Sequence, residues 1–288
     1  MMYPSCSVDP NNNTATRKIR LRLFDCHTHL DKYPEPELEG ILYRAKEVGV
    51  GGAIVAGTTI ESSLNSVRLA ENNPNLFAAI GIHPMDITLP FDYTEHEVLA
   101  ELALNDRVLA ISEVGLDGLK GAPDIALQEE VFRANIQLAK NNNLPIIYHS
   151  RETYPRILDI LASEGAQTVG GAAHYFQGDL KTAKRCIDLG FFISLARPLL
   201  RIPDLQEIAR KVPIEYIVLE TDSYPQHFKK NRQNWTEPRH LTEVALALSE
   251  IRNITLEQVI QQTSCNILNM LGSRSESIKG ALEDTFTM

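Results

Sequence analysis

Aromatic residues are scarce, at 7% of 288 residues with a single tryptophan, Trp235. Cysteine is scarcer still. The four, Cys6, Cys26, Cys186 and Cys265, are widely scattered with no CxxC pair, which excludes a cysteine-built zinc or redox motif and fits reduced thiols. No apolar run is long enough to span a bilayer, and the polar, Asn-rich stretch Met1 to Thr16 lacks the apolar core of a signal peptide. No membrane association and a cytoplasmic location are therefore expected. No Gly-rich phosphate loop follows the first strand, as a dinucleotide-binding open sheet would require. Positive charge is outnumbered, 28 Lys and Arg against 37 Asp and Glu for a net −9. That balance argues against a broad DNA-binding surface, without excluding a local grip on one strand end.

What is present is a regular alternation. Hydrophobic residues make up 43% and charged residues 23%, ordinary for a globular enzyme with a sizeable core. Past a flexible leader at 1–20, short runs of Val, Ile, Leu and Phe alternate with longer amphipathic stretches, the βαβα signature of a parallel sheet. The pattern predicts strands at 21–26, 52–56, 76–82, 108–114, 144–148, 168–173, 191–195 and 216–220. Helices are predicted at 37–48, 60–72, 94–105, 124–141, 156–164, 180–189, 202–211, 237–251 and 255–271. The fold class expected is α/β, a single (β/α)8 TIM barrel over 21–272, since such barrels run to about 250 residues. Residues 273–288 read as a loosely held polar tail.

Residues able to bind metal fall at the ends of those strands. His27 and His29 follow the first, Glu113 ends the fourth, His149 the fifth and His174 the sixth, and Asp222 lies just past the eighth. These are carboxyl ends, where barrel active sites are built. Side chains alternate along a strand, so His27 and His29 should face one side and Cys26 and Thr28 the other. Asp25 shares the histidines' parity and Glu220 that of Asp222, which makes both candidates to support the ligands from behind, Asp25 by orienting an imidazole. Four imidazoles and two carboxylates suit Zn, Mn or a similar ion better than Ca. Six ligands exceed what one tetrahedral Zn needs, so two divalent metal ions, with Glu113 as bridge, are expected.

These motifs resemble the TatD-like metal-dependent deoxyribonucleases of the amidohydrolase superfamily. The matches are Phe24-Asp25-Cys26-His27-Thr28-His29-Leu30-Asp31, Gly81-Ile82-His83-Pro84, Glu113-Val114-Gly115-Leu116-Asp117, Leu144 to Arg151, His174-Tyr175-Phe176-Gln177-Gly178 and Leu219-Glu220-Thr221-Asp222-Ser223. They occur in the family's order from Leu21 to about Leu271. The resemblance implies the same six metal ligands and a deoxyribonuclease acting on single strands or strand ends, from the 3′ end. The chemistry expected is attack by a metal-activated water, with Asp222 as proton acceptor and Glu113 at the metals.

His83 and Arg151 are candidate substrate contacts, the latter able to fork onto a phosphate or to pair with a nearby acid such as Asp117. The cluster Lys229-Lys230-Asn231-Arg232, with Trp235, reads either as a single-strand binding loop or as a helix entry with a packed Trp. Arg17 to Arg22 reads as a solvated lead-in at the opposite end. Ser112 stands where the family has Gly, Gly118 where an aromatic is common, and Tyr224 precedes Pro225 where the family has Pro directly after Asp-Ser. Asn234 to Pro238 matches the family only partly. These departures surround the mouth and leave room for an ester or amide hydrolase, such as an aminoacyl-tRNA deacylase or lactonase, or for a component of a multi-protein antiviral system with unknown partner proteins.

Overall fold

The computed structural model describes residues 20–88 and 93–284. Eight strands form one parallel sheet in chain order: β1 (Leu23–Thr28), β2 (Val50–Ala56), β3 (Leu76–Ile80), β4 (Val108–Asp117), β5 (Ile146–Arg151), β6 (Gly171–Ala173), β7 (Phe191–Leu195) and β8 (Ile217–Leu219). The seam between the first and last closes just past β8. There the Asp222 N–H donates to the His27 carbonyl at 3.0 Å and the His29 N–H to the Ser223 carbonyl at 2.8 Å. The sheet is thus the expected barrel.

All eight expected strands are found, with shifted ends. β1, β4 and β5 run two or three residues further than the apolar pattern shows, so His27 and His149, expected just past their strands, lie within them, and Glu113 is well inside β4. Polar side chains buried at a site break the apolar pattern, although the ladder continues through them. The sixth strand is shorter than expected because Ala166–Thr168 is a 3-10 turn.

Helices α1 (Glu35–Glu47), α2 (Ile60–Asn72), α3 (Tyr93–Leu102), α4 (Ile125–Asn142), α5 (Tyr154–Ser163), α6 (Leu180–Asp188), α7 (Pro203–Lys211), α8 (Leu241–Arg252) and α9 (Leu256–Leu271) cover the outside. Several starts are written in the sequence. Thr59, Asp124, Asp179 and Thr255 accept backbone N–H groups of the first turn, satisfying donors the helix itself cannot. Helix α8 begins later than residue 237 because Pro238–His240 forms a separate 3-10 turn.

The expected loose tail is a correction. Of 273–288, the described part packs onto the barrel's amino end, through a 3-10 run Gly272–Ile278, a helical turn Lys279–Leu282 and a two-residue strand Glu283–Asp284 pairing with Arg20–Leu21. Ile278, Ala281 and Leu282 sit three and four residues apart, fall on one face, and are buried against Phe24, Ile54 and Met270. Gly51 makes room for them, since a Cβ there would stand 1.9 Å from the Ala281 carbonyl oxygen. The segment looked polar because only three of its residues carry the packing. It closes the floor, leaving the carboxyl end as the open mouth. The leader, apart from Arg20, lies outside the described residues.

Candidate metal centre

The strand ends bring His27, His29, Glu113, His149, His174 and Asp222 together. In β1 the simple alternation fails. Asp25 pairs with Ala53 and Thr28 with Val55 in β2, three steps against two, a bulge that re-aims side chains. Cys26 therefore turns inward as well, its Sγ 3.2 Å from Ser194 Oγ, while His27 reaches the centre.

Glu113 occupies the middle, and its two oxygens face different groups. Oε2 lies 3.6 Å from His27 Nε2 and 3.4 Å from His29 Nε2. Oε1 lies 2.9 Å from His149 Nδ1 and 3.3 Å from His174 Nε2. Asp222 Oδ1 joins the first group, 3.3 Å from His29 Nε2, and stands 4.0 Å from His174 Nε2. Asp222 itself adopts a left-handed backbone, φ 51°, a conformation uncommon outside glycine.

Each imidazole turns its outer nitrogen toward a polar oxygen. His29 Nδ1 is 3.1 Å from the Ala56 carbonyl, His149 Nε2 2.9 Å from Asp117 Oδ2, His174 Nδ1 3.0 Å from Glu220 Oε1, and His27 Nδ1 3.5 Å from Ser112 Oγ. The other nitrogen of each ring faces Glu113. Fixing one nitrogen by an outer acceptor leaves the inner lone pair for a cation.

The electrostatics fit that use. Burial opposes charge on His29, yet Asp222 and Glu113 outweigh it and push its pKa up to about 10. Burial is likewise overridden at His174, where Glu220 and Glu113 raise the pKa to about 9. Burial would raise the Glu113 carboxyl, but His174, His83 and His149 hold it well below the usual carboxylate range. The centre therefore collects positive charge, as protons or as metal ions, and cation binding must release protons. Nitrogen and carboxylate donors in this mixture fit divalent first-row ions. His27, His29, Glu113 Oε2 and Asp222 would hold one, and His149, His174 and Glu113 Oε1 another.

Glu220 supports His174 as the sequence suggested, and is itself held by the Tyr175 N–H at 2.7 Å and Ser194 Oγ at 2.5 Å. Asp25 is a correction. It touches no imidazole; its carboxylate accepts from the Thr221 N–H at 2.9 Å and Thr221 Oγ1 at 2.5 Å, clamping the turn that presents Asp222. The reason is the bulge, which separates Asp25 from the side His27 faces.

Asp117, which the sequence offered only as a salt-bridge partner for Arg151, anchors His149. The signal was its strand alternation with Glu113, four residues earlier in β4. Asp117→Asn should weaken binding of Zn or Mn about 10–100-fold by isothermal titration. An affinity within threefold of wild type would show that Asp117 does not organise His149.

The centre opens into a cavity of about 1120 Å³ at the barrel mouth. His83 lies in its wall, Nε2 3.5 Å from Glu113 Oε1. Arg151 also lines it, exposed, with Nη1 3.7 Å from Asp117 Oδ2, the pairing with a nearby acid that the sequence offered. Trp235 does not line it. It is 7% exposed, packed on Tyr33 and under the Arg232 guanidinium, which pairs with Glu37 and Glu237. The packed reading of that loop holds for Trp235 and Arg232. Phe228, 73% exposed, does line the cavity, together with Tyr154, Tyr175 and Tyr224.

A family model described as TatD related DNase matches residues 24–272. The chain is similar to the metal-dependent hydrolase YabD of Bacillus subtilis, 33% identical over 252 residues, covering 85% of this chain and 96% of YabD. It is also similar to YcfH of Escherichia coli, 29% identical over 266 residues and covering 89% and 99%. Among solved structures, YjjV, a TatD homologue from Escherichia coli, superposes with a TM-score of 0.79 at 29% identity, covering 87% of this chain and 98% of that one. A phosphotriesterase homology protein from Escherichia coli, at 17% identity and a TM-score of 0.61 over 84% and 96% of the two chains, shares the fold.

Proposed function

The chain belongs to the family of TatD related DNases, metal-dependent hydrolases, and from that premise we propose that it cuts phosphodiester bonds at DNA strand ends, removing nucleotides from the 3′ end. The observation that carries this reading is the division of Glu113, one oxygen toward His27 and His29, the other toward His149 and His174. A carboxylate so placed suits two divalent ions, the arrangement that clamps attacking and leaving oxygens in phosphoryl chemistry. Ions bound there, Zn, Mn or Mg, would supply Lewis acidity and a water acidified toward neutral pH.

The chain's own groups supply the rest. Burial would raise the Asp222 carboxyl, but the His29 hydrogen bond and the charge of His174 hold it at about 2. It is thus ionised at neutral pH and accepts the proton of the attacking water at its carboxylate. So weak a base is matched to a water already acidified, not to bulk water. As the oxygen–phosphorus bond forms, the bond from phosphorus to the departing sugar oxygen breaks.

His83 Nδ1 accepts the Met85 N–H at 3.1 Å, and burial lowers the ring's pKa to about 4. The neutral ring therefore carries its proton on Nε2, a donor aimed into the site for a phosphoryl oxygen. Arg151 adds a guanidinium at the same mouth. A deep mouth above a closed floor admits a strand terminus more readily than a duplex interior, which supports single strands or ends as partner.

The test is cleavage of 3′- and 5′-labelled single- and double-stranded DNA with Mg, Mn or Zn, beside His27→Ala. Shortening from the 3′ end, lost in the variant, is expected. Intact oligonucleotides with turnover of an aminoacyl ester or lactone would assign ester hydrolysis instead.

A further inference from the structure

One wall of the mouth carries an uncompensated positive charge. Arg197 and Arg201, from the segment between β7 and α7, and Lys229, from the segment after β8, line the same cavity as Asp222. Arg197 is paired, with Glu243 at 3.1 Å. Lys229 Nζ is held by uncharged groups, Gln226 Oε1 at 2.6 Å and the Asn234 carbonyl at 2.9 Å. Arg201 is exposed and has no carboxylate partner among the described residues. Burial, then the charges of Arg197 and Arg201, lower the Lys229 pKa, so Lys229 stands within reach of both arginines. Tyr175 lies within electrostatic reach of both Asp222 and Arg201, linking this wall to the metal centre. Phe228, beside them, has Lys229 Nζ 6.0 Å from its ring centroid.

Mutually repelling cations held at a cavity wall with an exposed phenyl ring are ill suited to an unliganded surface. They suit a ligand that alternates phosphate and flat apolar rings. Given the phosphodiesterase reading above, we propose that this wall is a strand-holding subsite. In it Arg201 and Lys229 take the phosphate next to the scissile one, and the base it carries stacks on Phe228. The subsite adds to strand-end cleavage a grip on the nucleotide beyond the scissile bond, and it uses residues outside the metal ligands.

The test compares turnover of (dT)2 and (dT)6, and binding of 5′-fluorescein-(dT)6 by anisotropy, for wild type, Arg201→Glu, Phe228→Ala and the charge control Lys184→Glu on α6. Arg201→Glu should lower kcat/KM on (dT)6 at least about tenfold more than on (dT)2 and weaken fluorescein-(dT)6 binding at least about tenfold. It should also flatten the salt dependence of binding by roughly 0.7 log unit per log unit of salt, the slope of one single-strand phosphate contact. Phe228→Ala should cost binding about fivefold or more, within the range for loss of one stacked base, with little change in salt slope. Lys184→Glu should match wild type. If wild type binds (dT)6 and these variants weaken it, but nothing is cut, the subsite stands and the phosphodiesterase reading falls. If wild type does not bind (dT)6, or both variants bind as it does, the subsite is overturned, whatever is cut.

Discussion

Asp222→Asn should lower kcat on a phosphodiester substrate by roughly a thousandfold, the scale of a lost general base, while metal content stays within one ion of wild type. The amide keeps an oxygen that can face a cation at the place where Asp222 Oδ1 now stands 3.3 Å from His29 Nε2, but it accepts no proton. The left-handed backbone at 222 also favours the exchange, since Asn tolerates that conformation. Steady-state kinetics beside elemental analysis separates the two roles. A variant that keeps its ions and its rate would show that the proton leaves by another route, with His174, 4.0 Å away, the next group to test. A variant that loses every ion would make Asp222 chiefly a ligand.

Glu113→Gln should have an effect at least as large, by a different cause. The carboxylate presents one oxygen to each half of the centre, whereas an amide offers one oxygen and one N–H donor, and the donor repels a cation. Of the two ions proposed for the centre one should be lost, and kcat/KM should fall by about a thousandfold or more. Titration of metal-free protein with Mn or Zn gives the stoichiometry directly. Two ions retained with unchanged affinity would overturn the bridging role. Removing this charge also leaves His27, His29, His149 and His174 facing a centre with less negative potential. The imidazoles that Glu113 and Asp222 now hold protonated should then titrate lower, His29 downward from about 10.

These variants test candidate ligands that were legible from the chain alone. Short continuous apolar runs separated by amphipathic stretches place strand ends to within two or three residues, and barrel closure obliges carboxyl ends to share one mouth. His27, His29, Glu113, His149, His174 and Asp222 could thus be assembled from sequence, because each sits where an apolar run stops. The same logic failed at Asp25. A single bulge between Asp25 and Thr28 shifts the alternation, and an apolar pattern carries no signal for a bulge among polar residues. It failed again over 273–284, where three apolar side chains among polar ones are enough to close a barrel floor.

By itself, then, the sequence determined the barrel and the identities of its six central side chains, since both follow from local periodicity and the chemistry of residue types. Tertiary structure alone decided which ring nitrogen of each histidine faces inward, that Asp117 anchors His149, that Trp235 is packed while Phe228 stands at the mouth, and that Arg201 and Lys229 share one wall. Those outcomes depend on which atoms come within about 3 Å after the chain closes on itself. Asp25 and Thr221 meet across 196 positions, and no pattern within a strand or helix reports a contact of that reach.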